Sequence, residues 1–168
     1  QGLSPTCEQA HVGLDLLTLV SLNYKEDIDM VDQNCAYCME GELVAKFGIK
    51  ICELETSKVY LFKEQSHPGR CIVAHKKHVG DMNELTAEER AAYFEDVARV
   101  ARAIMKAFNP DKVNYGAYGD TGHHLHFHLC PKYKDEYEWG GVFLMNPDKK
   151  YLTDEEYADM IEKIKANL

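Results

Sequence analysis

Three imidazoles alternate with two large apolar side chains in His124-Leu125-His126-Phe127-His128, and that alternation has the period of a β-strand. The three His therefore share one face, while Leu125, Phe127 and Leu129 share the other. A chain carrying such a strand must bury the apolar side and keep the imidazole side for chemistry. Same-face Cα atoms on a strand lie about 7 Å apart, so the outer pair is about 13 Å apart, too far for all three rings to grip one ion easily. The rings therefore have different tasks. Metal chelation and acid, base or nucleophilic work by imidazole are both open at this point.

The rest of the chain sets the frame for that strand. Its 168 residues suffice for one domain with a sizeable core. A hydrophobic share of 45% and a charged share of 28% are ordinary for a folded globular protein. The formal net charge of -9 argues against a nucleic-acid partner held by counterion release, so any phosphate must be gripped locally. No apolar run approaches the roughly 20 residues of a membrane span, and no Lys-led apolar leader opens the sequence. The expectation is a cytoplasmic protein without a membrane partner. Among the six Cys, Cys52, Cys71 and Cys130 sit in apolar, strand-like runs and read as small buried hydrophobes. Only Cys35 and Cys38 have the spacing of metal ligands.

Residues 8–22 are dense in Leu and Val and read as a helix, followed by an acidic connection over 25–32. Residues 48–54, 58–62 and 70–75 read as strands, the last two separated by the turn His67-Pro68-Gly69. Thr86-Ala87-Glu88-Glu89 is a capping box, and beyond it Phe94, Val97, Ala101, Ile104 and Phe108 recur at helical spacing until Asn109-Pro110. Residues 113–118 and 124–130 read as two more strands, the second ended by Pro131. Thr153-Asp154-Glu155-Glu156 starts a last helix. Many strands, short connections and a single helical connection predict an α+β domain with a mainly antiparallel sheet.

Cys35-Ala36-Tyr37-Cys38 presents two thiolates to one tetrahedral ion, which is half a site. Two His complete it most naturally, and His67, His75, His78, His123, His124, His126 and His128 are all candidates. A redox pair is the competing reading; it is disfavoured because Met39-Glu40-Gly41-Glu42 looks like a turn and no long helix follows the second Cys. Either His75 or His78, at the end of a strand, is available as an upstream ligand. Gly119-Asp120-Thr121-Gly122 allows close backbone approach to a phosphate, although a plain tight turn explains the same residues.

The triad, with Pro131 behind it, Asn114-Tyr115-Gly116-Ala117-Tyr118-Gly119-Asp120 before it, and the Lys77-His78 and Glu84-Leu85-Thr86 series upstream, resembles the histidine triad (HIT) family of nucleotide hydrolases and transferases. The likeness is to the bacterial diadenosine tetraphosphate hydrolase type with a zinc site. It spans roughly residues 35–133 and implies a five-stranded, mainly antiparallel sheet with one long helix, usually paired as a homodimer. On this resemblance residues 1–34 form an N-terminal extension, partly helical, and 35–168 a HIT-like domain with a C-terminal helix.

The resemblance also assigns roles. His126 would attack the α-phosphorus of a purine nucleoside phosphate derivative, a dinucleoside polyphosphate or a phosphoramidate, and carry the nucleotide covalently. His128 would hydrogen-bond the phosphate oxygens, and Asn114, Gly119, Thr121 and Gly122 would bind substrate. Cys35, Cys38, His78 and His124 would hold a structural zinc. A leaving group would take its proton or counter-charge from His128 or Lys132. His123, Asp120, Thr121 and Lys132 are departures from the residues common in the family. Two alternatives stand beside this reading: a zinc hydrolase in which His124 and His126 share a catalytic metal, and a nucleotide-binding regulator with little turnover.

Overall fold

The computed structural model describes residues 32–168. The helix expected over 8–22, most of the acidic connection and Cys7 lie outside the described residues. In chain order the elements are helices α1 (Ala36–Met39) and α2 (Gly41–Ala45), strands β1 (Gly48–Glu53), β2 (Ser57–Phe62) and β3 (Cys71–His75), and a 3-10 turn (Met82–Glu84). Helix α3 (Ala87–Phe108), strands β4 (Lys112–Gly116) and β5 (His126–Lys132), and helix α4 (Asp154–Lys165) complete the fold. The sheet runs β1-β2-β3-β5-β4, and every pairing is antiparallel. The expected α+β architecture of five strands, one long helix and a C-terminal helix is the one observed.

Strand alternation sorts the core into two layers. Val59, Leu61, Val73, Phe127 and Leu129 face α3 and α4, where Val97, Val100, Ile104, Ile161 and Ile164 close the main core. Tyr60, Phe62, Ile72 and Ala74 point the opposite way and pack with Tyr37 and Val44 of the two short N-terminal helices. The imidazole face belongs to this second layer, since Ala74 pairs with His126 and Ile72 with His128.

Helix α3 starts at the predicted box: Thr86 accepts from the Glu89 amide and Glu89 returns the bond. Its buried Asp96 accepts from the Thr56 amide and from both the Thr56 and Ser57 hydroxyls, fastening the β1–β2 turn to the helix. Helix α4 begins with the same kind of box at Thr153 and Glu156.

Two local expectations need correction. Gly41-Glu42 is not a turn but the start of α2, and the reversal falls on Glu40 at φ 53°. Pro131 does not end β5, which continues to Lys132. The β3 pairing ends at Leu129, so beyond that residue β5 is bordered by β4 alone and a missing amide proton costs no ladder bond there. Cys71 and Cys130 are buried as expected, whereas Cys52 is only half-buried.

Candidate active site and metal centre

His124 sits just before β5 and is held by two backbone features. Its amide donates to the Gly122 carbonyl at 2.7 Å, and its Nε2 lies 2.8 Å from the carbonyl oxygen of His75. A carbonyl only accepts, so Nε2 carries the proton and Nδ1 keeps its lone pair. That lone pair faces three other donors: Cys35 Sγ at 3.3 Å, Cys38 Sγ at 3.6 Å and His78 Nδ1 at 3.3 Å. Cys38 Sγ also lies 3.2 Å from His78 Nδ1.

These separations suit one tetrahedral ion. Ligands at about 2.0 Å for nitrogen and 2.3 Å for sulfur sit roughly 3.3–3.8 Å from one another around such a centre. The four donor atoms all lie within 4.8 Å of each other. Burial, with the neighbouring Cys35 as a lesser cause, pushes the Cys38 thiol up to about 11. A Cys38 thiolate here therefore needs a cation beside it. Of the two upstream candidates, His78 joins the cluster, whereas His75 accepts from the Lys77 amide and lies edge-on to Tyr93.

The next two imidazoles are set differently. His126 Nδ1 lies 2.7 Å from the His124 carbonyl, which fixes the proton on Nδ1 and leaves the Nε2 lone pair free. Burial holds this ring below the ordinary imidazole range, against the opposing effect of that carbonyl. His128 Nδ1 lies 3.3 Å from Arg70 Nη2, and a guanidinium only donates, so His128 keeps its proton on Nε2. Burial first, then the Arg70 charge and His126, push His128 down to about 2. The pair thus presents a bare nitrogen beside an N–H, with ring centroids 5.2 Å apart.

Both rings line a cavity of about 990 Å³. Tyr37, Phe47, Phe62 and Ile72 form an apolar wall, residues 142–145 form another, and Asp120, Thr121 and Gly122 stand at the rim. Tyr37 lies between the two sites, its ring 5.1 Å from that of His124 and 5.0 Å from that of His126. Gly116 pairs with His128 across the strands, and a Cβ there would meet Phe143 at 2.9 Å and Tyr118 at 2.4 Å. Glycine at this strand position lets the 143 ring close over the triad face.

Of the residues expected to bind substrate, Thr121, Gly122, His126 and His128 share this cavity. Gly119 instead lines a smaller concavity with Gly80 and Asp81, bounded by His124 and His126. Asn114, which pairs with Cys130 on β5, lines a third with Lys112, Lys132 and Trp139. Lys132 is buried, and its ammonium donates to the carbonyls of Glu138 and Gly141. It is committed to the backbone rather than to a leaving group.

Tyr37, Arg70, Gly116 and the wall at 142–145 were not singled out by the sequence. A glycine inside a strand is a signal of close approach, and an arginine opening an apolar strand is a signal of special use. The wall is contributed by a connection with no periodicity and has no such signal.

Comparison with known proteins agrees with this geometry. The model of the HIT domain matches residues 48–135, just over half of the chain. The chain is 28% identical over 123 residues to Protein hit of Bacillus subtilis, covering 69% of this chain and 83% of that protein. It is also 28% identical over 116 residues to an adenosine 5'-monophosphoramidase of Schizosaccharomyces pombe, covering 64% and 80%. Among solved structures, a histidine triad protein of Sinorhizobium meliloti superposes with a TM-score of 0.70 at 24% identity, covering 76% of this chain and 95% of that one. A triad on a central strand of this sheet, with the matching domain built around it, makes this chain a member of the HIT family.

Proposed function

We propose that this protein is a nucleotide hydrolase or nucleotidyl transferase that cleaves purine nucleoside phosphate derivatives through a covalent nucleotidyl-His126 intermediate. The observation that carries the reading is the His126 tautomer: Nδ1–H bound to the His124 carbonyl and Nε2 bare in a large cavity. Nε2 would attack the α-phosphorus, and the P–O or P–N bond to the leaving group would break. The Nε2–H of His128 would hydrogen-bond a phosphate oxygen as charge builds there, and the leaving group would take its proton from water in the open cavity. A water would then displace His126 from phosphorus, and a second acceptor in place of water would make the reaction a transfer. Membership in a family that includes a phosphoramidase favours a phosphoramidate or phosphoanhydride substrate.

Cys35, Cys38, His78 and His124 would hold zinc. Four protein donors close the coordination shell, so the ion would brace the entrance to β5 rather than activate water. The exclusion of His126 from that donor set weighs against the alternative of a metal shared by His124 and His126. A homodimer along the free edge of β4, where Tyr115 is 53% exposed, is part of the same proposal. No helix among the described residues is long and apolar enough to cross a membrane.

The test is an intact-mass measurement of protein quenched during turnover of adenosine 5'-phosphoramidate or diadenosine tetraphosphate. The expected result is one nucleotidyl adduct, mapped by peptide analysis to His126. Turnover with no adduct on any His under rapid quench overturns the covalent route, and absence of turnover with either substrate favours the regulator.

A further inference from the structure

Arg70 touches no reacting atom in the chemistry described so far, yet its surroundings are costly. The residue is completely buried, immediately before β3. Its guanidinium lies 4.3 Å from the Phe62 ring centre and 4.9 Å from that of Phe143. Nη1 donates to the Leu144 carbonyl at 3.2 Å, and Nη2 faces His128 Nδ1 at 3.3 Å and Met145 Sδ at 3.2 Å. Nε is buried and has no hydrogen-bond partner among the described residues.

No carboxylate of the described residues forms an ion pair with this side chain. Besides Cys130 and Tyr118, the carboxylates that bear on it electrostatically are Glu64 and Glu138. Glu64 accepts from the Lys149 and Lys150 amides and from Ser66. Glu138 accepts from the Leu144 amide and sits 3.1 Å from His67. A guanidinium cannot shed its proton to escape burial, so an incompletely balanced Arg is expensive. A site that needed only volume would take Met or Leu. Among the cavity-lining groups that touch this guanidinium, His128 is the one that carries an imidazole of the triad.

We propose that Arg70 is a positioning residue for the phosphoryl site, holding His128 as the Nε2–H tautomer and placing behind that ring the positive charge that a bound phosphate balances. The proposal rests on the nucleotide reading above. The fork donates from one side only, so the His128 ring cannot reverse its proton without losing the bond to Nη2. The same guanidinium ties residues 143–145 to the back of the ring, so one side chain aligns the hydrogen-bond donor with the cavity wall. Lysine would return the charge but neither the fork geometry nor the planar stacking between Phe62 and Phe143.

Two measurements on the full chain in its metal-bearing form test this. The nitrogen chemical shifts of His128 report its tautomer directly. Titration calorimetry with AMP and with adenosine gives the affinity that the phosphate adds. In the wild type we expect the Nε2–H signature, and AMP binding at least about tenfold tighter than adenosine. Arg70→Met should average the His128 shifts between tautomers and bring the AMP-to-adenosine ratio towards one, with adenosine affinity nearly unchanged. Arg70→Lys should restore most of the ratio while the shifts stay averaged.

An Arg70→Met protein that keeps both the wild-type shifts and the wild-type ratio overturns the proposal. So does a parallel fall in AMP and adenosine affinity with the shifts intact, which is the outcome if Arg70 merely packs the wall. Should Arg70→Met not fold, Arg70→Lys decides, because wild-type shifts in that variant refute the tautomer role. A wild type that binds AMP no better than adenosine defeats the nucleotide reading instead, and the His128 shifts then judge the Arg70 assignment by themselves.

Discussion

One strand and its approach supply both ends of this site, and the two ends are built on opposite logic. At His124 four donor atoms converge from three separate parts of the chain, enough to fill a tetrahedral shell. At His126 and His128 the rings are held from behind by a carbonyl and a guanidinium, and their remaining nitrogens have no partner among the described residues. In both cases a backbone carbonyl chooses which imidazole nitrogen keeps its lone pair. The His75 carbonyl sets His124 towards the other three donors, and the His124 carbonyl sets His126 towards the cavity. Identical side chains two residues apart thus acquire different chemistry from the orientation of two peptide groups.

The sharpest way to separate the two ends is to remove one ligand from the closed end. Cys35→Ser should cost the zinc and much of the roughly 10 kcal/mol that a structural site can contribute to folding. Metal analysis and thermal unfolding check it. A metal-free wild type that is equally stable and active would dissolve the distinction between the ends.

At the open end, His126→Ala should lower turnover by roughly 10³-fold or more while leaving metal content, unfolding temperature and AMP affinity close to wild type. Steady-state assays with zinc determination on the same samples read both effects. More than a few percent of residual activity would move the nucleophile elsewhere.

A third test uses acid. His128 is held far below the ordinary imidazole value of about 6.5 by its burial. Because its folded value is depressed, its contribution to stability is complete above about pH 6.5. It declines as the pH falls towards the folded value, since only the unfolded chain takes up the proton. By pH 5 the loss is ~2 kcal/mol. His128→Asn should remove that share of the decline in urea unfolding measured at pH 7.5 and pH 5. Comparing the two proteins cancels what the metal ligands contribute. Equal slopes would mean that His128 protonates freely in the folded state.

The smallest effect is expected at the rim. Thr121 is exposed and lines the cavity, so Thr121→Val should slow turnover about fivefold, the value of one hydrogen bond, with little change in unfolding temperature. An unchanged rate would place the phosphate away from this loop.

Much of this was legible in the sequence because it depends on local period. The alternation at 124–128 is a strand approach with one reactive face, the Cys35–Cys38 spacing is a knuckle, and Thr86 to Glu89 is a helix start. Each of these signals is complete within a few residues. What escaped depends on distant partners. Arg70 takes its meaning from His128 and Phe143, and Tyr37 from two rings some ninety residues away. Asn114 and Gly119 show the converse: they flank the triad in sequence and on the sheet, yet they open onto other concavities because a strand face and a loop turn away from the 990 Å³ cavity. The two short N-terminal helices were missed because single turns carry too few residues to display helical spacing.

The reversal at Glu40 has a consequence for motion. Its backbone, at φ 53° and ψ -140°, is unfavourable for a residue with a side chain by about 1–3 kcal/mol. Helices of four and five residues cannot hold it unaided. The carboxylate of Glu40 is tethered to Lys50 and Lys58, at 2.8 and 2.7 Å. Tyr37 and Val44 pack on the sheet, Lys58 and Lys63 donate to the Tyr37 and Ala45 carbonyls, and an ion held by the four donors would be a further tether. The amide protons of residues 36–45 are therefore expected to exchange by local opening, more slowly with the knuckle occupied than empty. The amides paired between β3 and β5 are expected to exchange only when the whole sheet comes apart. A single hydrogen-exchange experiment would read the metal at one end of the molecule and global stability at its centre.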